Sequence, residues 1–159
     1  MHRQTIKTSK SMEDFLTESY VSLETAKMLK KHGLDVVCGS YFVTGEDKKD
    51  KSKSRFNLSS VTANRNKYQS ELPDHEYITC PSLGLAMSWL RRKYNLVIDT
   101  TPYPHEDGVF YWGYKIGYME TDSTGYAMSY QNKYKKAGFD TYEEAVESAI
   151  KQAENYMDF

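Results

Sequence analysis

Five residues could ligate a metal by type: His75 and Glu76, and His105, Glu106 and Asp107. Ligands must converge on one point, as two histidines four apart on a helix do, whereas sequence neighbours point apart. The second group also sits in Pro104-His105-Glu106-Asp107-Gly108, which has the composition of a turn. No metal and no cofactor is therefore expected. The two cysteines are Cys38 and Cys80. A thiol just ahead of a helix start, as Cys80 stands before Pro81, has some tendency toward the nucleophilic thiolate. No catalytic pattern flanks either one, and both read as reduced, small, partly buried side chains. The glycines are scattered and build no phosphate-cradling loop. The densest cationic group is Lys48, Lys49, Lys51, Lys53 and Arg55, with Arg65 and Lys67 beyond. Such residues neutralise phosphates, and Phe56 and Tyr68 could stack on unpaired bases. Glu46, Asp47 and Asp50 are interleaved, which favours a solvated loop.

These groups belong to a chain of 159 residues with a formal net charge of −1 and fourteen tyrosines. The length suits one domain able to bury a core without staples. The near-neutral balance gives no global attraction to nucleic acid or to an anionic membrane. Two thiols make no disulfide framework. Residues 1–20 read as a flexible arm without the apolar core of a signal peptide. Nowhere do about 18 apolar residues run together, so no membrane span is expected. A cytoplasmic location follows as the expectation.

The elements that would position the candidates can be read in order. Ser22 can cap a helix over 23–31, with Leu23, Ala26 and Leu29 on one face and Gly33 beyond its end. A short strand is expected at 40–43. The stretch 44–76 is almost wholly polar and reads as a mobile insertion, although Phe56, Leu58 and Val61 allow a strand within it. A second helix is expected over 81–94, with Thr79-Cys80-Pro81 at its start and Asn95 at its end. A strand at 96–101 precedes a turn holding Pro102, Pro104, Asp107 and Gly108. The strongest strand spans 109–118, alternating Phe110, Trp112, Tyr114, Ile116 and Tyr118 with Val109, Tyr111, Gly113, Lys115 and Gly117. A partner at 126–131 completes an antiparallel meander. Thr141-Tyr142-Glu143-Glu144 starts a helix over 142–156. The expected fold is α+β, a small antiparallel sheet with helices on one face, in the order αβαβββα. Residues 21–159 make the single domain.

Three pieces of the chain also carry a resemblance. They are Ser22-Leu23-Glu24-Thr25-Ala26-Lys27 through Gly33, Thr79-Cys80-Pro81-Ser82-Leu83 into Trp89-Leu90-Arg91, and the tyrosine-rich strand followed by Thr141-Tyr142-Glu143-Glu144-Ala145. In this order, over about 21–157, they resemble a family of small uncharacterised proteins of Bacteroides-type gut bacteria and their phages and prophages. The resemblance implies a phage or mobile-element origin and supplies no catalytic residues.

The functional expectation is a non-enzymatic module that binds a protein, either a host factor or a second copy of itself. The face of strand 109–118 carrying Tyr111 and Lys115 is the expected contact, since tyrosine is favoured at interfaces. Its two glycines suggest an open surface, while the Phe110, Trp112, Tyr114 and Ile116 face should pack beneath the helices. The alternative is a small nucleic-acid-binding accessory protein using the basic loop 48–67.

Overall fold

The computed structural model describes residues 19–45, 54–67, 75–121, 123–125 and 127–157. Helix α1 spans Leu23–Lys31, and strands β1, β2 and β3 span Cys38–Thr44, Ser54–Ala63 and Glu76–Thr79. Helix α2 (Leu83–Tyr94) leads into β4 (Leu96–Pro104), β5 (Phe110–Thr121) and β6 (Ala127–Phe139), and α3 spans Tyr142–Ala153. The strands form two antiparallel sheets, ordered β2-β1-β3 and β4-β5-β6. The fold is α+β, as expected, with a second small sheet to which the polar stretch contributes β2.

Local chemistry explains the helix ends. The Ser22 hydroxyl accepts the Thr25 N–H at 3.2 Å, and Gly33 takes φ +83°, a left-handed conformation that costs glycine little. Asn95 closes α2 in the same region at φ 59°. The start of α2 differs from the reading that put Pro81 in its first turn. Ser82 is the cap, accepting the Leu85 N–H at 3.2 Å, so Pro81 lies ahead of the helix. Thr141 caps α3 by accepting the Glu144 N–H at 3.1 Å.

One core joins helices α1, α2 and α3 to both sheets. Leu29 of α1, Ile78 of β3, Trp89 and Leu90 of α2, Leu96 of β4, Tyr114 and Ile116 of β5, and Val146 and Ile150 of α3 are all buried in it. The expected inner face of β5 is therefore correct at its centre. It fails at its first residue, where Phe110 is 57% exposed, whereas Trp112, half-buried, still packs against the core. Trp112 meets Tyr142, the first residue of α3, edge to face at 5.4 Å, so Phe110 is the residue that lies beyond the cover of the helix.

The edge of β3 is closed by side chains. Lys30 Nζ donates to the Tyr77 carbonyl at 2.9 Å and pairs with Glu76 at 2.7 Å. Asn66, in a short 3-10 turn at Arg65–Lys67, accepts the Thr79 N–H at 2.8 Å and donates to the Leu34 carbonyl at 3.1 Å. Gly39 of β1 lets β2 pass close, because a Cβ there would collide with the Ser59 carbonyl.

Candidate functional site

The outer face of β4-β5-β6 lies opposite the helices and is set by register. Tyr103 stands across from Tyr111, Thr101 from Gly113, Asp99 from Lys115, and Val97 from Gly117. On the other side, Gly113 faces Ala137, Lys115 faces Lys135, and Gly117 faces Asn132. Irregularities at Trp112/Gly113, Ile116/Gly117 and Glu120/Thr121 shift the β5-β6 pairing.

Tyr111 and Lys115, the expected contact residues, do share this face, and both are half-buried. The Tyr111 ring meets His105 edge-on at 5.5 Å. The glycines, however, are not the open spots that their missing side chains suggested. Both are buried. A Cβ at Gly113 would come within 2.5 Å of the Tyr103 ring, and one at Gly117 would strike the Tyr130 ring. The two tyrosine rings thus cover the glycines, the way an aromatic covers a strand glycine. Tyr103 and Tyr130 are still 36% and 41% exposed. The result is a tyrosine sheet surface with Lys115 and Lys135 side by side near its middle. Like charges directly across strands repel, and Asp99, across from Lys115 on the β4 side, offsets part of that repulsion. Burial pushes the Tyr130 hydroxyl above its usual range, and nearby Asp99 adds to the effect. Sequence reasoning missed Tyr103 and Tyr130. The usable signal was two glycines at 113 and 117 on one face of a long strand, which call for large neighbours to cover them.

The cationic candidates belong to the other sheet. Lys48, Lys49, Lys51 and Lys53 lie outside the described residues. Arg55 and Lys67 are exposed. Arg65 is held in packing: its guanidinium lies 4.0 Å above the Tyr41 ring and donates to the Val61 carbonyl at 3.1 Å. Tyr41 meets Tyr77 edge-on at 5.8 Å, and Val43 stands between Arg55 and Tyr77 in one cross-strand row.

The remaining candidates have structural employment. Among the described residues no three His, Cys, Asp or Glu side chains gather as a metal site would require. His105, Asp107 and Gly108 build a turn: the His105 N–H donates to Val109 at 2.8 Å, and Gly108 takes φ +77°. The Val109 N–H holds the Asp107 carboxyl below its usual range, with His105 assisting. Cys80 is no incipient thiolate. Burial pushes its thiol up to about 12, with Cys38 and Glu147 adding to the shift, and it donates to the Val21 carbonyl at 3.3 Å. A groove of about 620 Å³ runs past Tyr20, Leu83, Phe139 and Ser148. Its Glu147 joins helices, accepting the Ser22 N–H at 3.1 Å and the Thr25 hydroxyl at 2.5 Å.

Fold and surface together define a small α+β protein of two three-stranded sheets with one face of tyrosines. Compared with family models, curated proteins and solved structures, the chain finds no match. Among the described residues no helix is long and apolar enough to cross a membrane.

Proposed function

We propose that this chain is a non-enzymatic binding module that acts in the cytoplasm by holding a protein partner against the outer face of β4-β5-β6. The resemblance noted above extends the proposal to a phage or mobile-element origin, with a host factor as the partner. The observation that carries the reading is the Lys115–Lys135 pair set among Tyr103, Tyr111 and Tyr130. Rigid aromatic side chains give large contact area at small entropic cost, and they are over-represented among interface anchors. A carboxylate from the partner would relieve the repulsion between the two ammonium groups, so the partner segment is acidic. Affinity capture from the native host with the wild-type chain and the Lys115→Glu/Lys135→Glu variant in parallel tests this. The captured protein is then purified and titrated against both. Charge reversal should weaken binding by roughly tenfold or more, the scale of a lost charge-assisted contact. A partner that binds both forms equally rules out this face.

A second reading, binding of single-stranded nucleic acid, is favoured by Arg55, Tyr77 and Tyr41 on the β2-β1-β3 sheet, with Arg65 over the Tyr41 ring. Fluorescence anisotropy with a labelled single-stranded oligonucleotide tests it. Binding that falls steeply with salt and is lost in Arg55→Ala/Lys67→Ala would promote this reading over the first.

A further inference from the structure

The groove beside α3 has apolar walls and an acidic rim. Tyr20, Leu83 and Phe139 form the walls, and Glu143, Glu144 and Glu147 stand along its α3 side. Its volume of about 620 Å³ is on the scale of a small-ligand pocket. Glu147 is only half satisfied there. Its Oε1 takes the Ser22 N–H and the Thr25 hydroxyl, while its Oε2 is shut off from solvent and has no donor among the described residues. Buried polar atoms are normally paired, so this oxygen calls for a donor. The path of the chain is a second observation. Ser19 and Tyr20 both line the groove. They are fixed in it: the Ser19 carbonyl accepts the Leu83 N–H at 2.9 Å, and the Val21 N–H donates to Pro81 at 3.1 Å. Residues 1–18, most of the arm expected at the N-terminus, lie outside the described residues. Eighteen residues therefore join the protein at a point inside the groove.

We propose that the occupant of this groove is the segment 10–18 of the same chain, anchored by Phe15 and Leu16. These are the large apolar side chains nearest Ser19 on its N-terminal side. A chain spans at most about 3.3–3.6 Å per residue, so the tether holds both within about 15 Å of Ser19. Their chemistry fits the walls, where burial against Tyr20, Leu83 and Phe139 removes apolar surface from water. Thr17, two residues from Ser19, carries a hydroxyl and an N–H, the kind of donor that Glu147 Oε2 lacks. Lys10 brings a cation to the exposed Glu143 and Glu144. Lys151, at the same groove, is the counter-charge for Asp14 or Glu18. The tether also favours this occupant over one from solution, because its effective concentration is high. This inference does not depend on the binding face above, which lies on the opposite side of the β4-β5-β6 sheet.

Disulfide trapping in the full-length chain tests the docking. Leu16→Cys is combined with Ser148→Cys, a near-isosteric change in the groove, with Cys38→Ser as background. The control combines Leu16→Cys with Lys135→Cys, exposed on the far face of the sheet. Under mild oxidation the groove pair should close within one chain roughly tenfold faster or more than the control pair, as read by mass spectrometry of tryptic peptides. In the otherwise wild-type chain, Phe15→Ser/Leu16→Ser should lower the urea midpoint and raise hydrogen exchange over 143–151. Equal closure of the two pairs overturns the proposal. So do disulfides that form only between copies, which would make a second copy the occupant, and a urea midpoint unmoved by the double serine variant.

Discussion

Single side chains decide how the outer sheet surface is made. At Gly113 an added methyl meets the Tyr103 ring, the Ala137 Cβ at 2.9 Å and the Lys136 carbonyl at 3.0 Å. The last two cannot swing aside, so Gly113→Ala should destabilise by about 1–3 kcal/mol, the usual range for overpacking. At Gly117 the nearest obstacle is the outer end of the Tyr130 ring, which can rotate outward. Gly117→Ala should therefore change stability by less than about 1 kcal/mol, since alanine also recovers backbone entropy lost with glycine. Urea denaturation of both variants checks the order, and equal losses would mean that Tyr130 is as firmly held as the backbone. The cysteines differ for a related reason. Cys80 is fully buried and Cys38 only partly. A thiol reagent near neutral pH should modify Cys38 quickly and Cys80 at the rate of unfolding. Rapid modification of both would contradict the burial. The same burial gives a pH dependence. Below the usual thiol value of 9.0 both folded and unfolded chains keep the Cys80 proton. Above it the unfolded chain loses that proton, while the folded one holds it to about 12. Burial raises the Tyr114 hydroxyl from 10.0 in the same direction. Stability should therefore fall as pH rises from about 9 toward 12, and a rising urea midpoint over that interval would reverse the assignment.

Elements were legible where their stabilisation is local. The spans 23–31, 81–94 and 142–156 agree closely with α1, α2 and α3 because caps and apolar stripes lie within the helices themselves. Leu96-Val97-Ile98 and the alternation from Phe110 to Tyr118 mark β4 and β5 in the same way. The prolines expected in the following turn instead extend β4 to Pro104, and the turn shifts to His105–Gly108. The far half of β6 was illegible, since its register irregularities and lysines break the two-residue period. Strand β3 was missed altogether. It has four residues, too few for a pattern, and its support comes from β1, Lys30 and Asn66, all distant in sequence. Asn66 is the sharper test of that support. Asn66→Ala leaves the buried Thr79 N–H and the Leu34 carbonyl without this partner, and should cost about 1–3 kcal/mol. Asn66→Asp retains an acceptor for Thr79 but sets a carboxylate against the Leu34 carbonyl, so it should also destabilise. A loss below about 0.5 kcal/mol in Asn66→Ala, measured by urea, would show that β3 is held by β1 alone. The candidate surface was half legible for the same reason: Tyr111 and Lys115 follow from alternation, whereas Tyr103 and Tyr130 depend on cross-strand register.

At the scale of the whole molecule, helix α1 is fastened to helix α3. Glu147 of α3 takes the Ser22 N–H and the Thr25 hydroxyl. Lys151 reaches Glu24 at 2.9 Å. Glu154, one turn further, meets His32 at 2.9 Å. Their spacing puts all three on one side of the final helix, and Val146 and Ile150 share the core with Leu29. During synthesis, then, α1 waits for residues made more than a hundred positions later. The nascent chain should remain sensitive to protease until 142–157 have cleared the ribosome, with no early folded half. A chain stopped after Asp140 should lose the native circular dichroism of its N-terminal half as well as of its end, and its release from a stalled ribosome should yield an aggregation-prone product. A truncated chain that keeps a cooperative urea transition would instead show that the β2-β1-β3 half folds on its own.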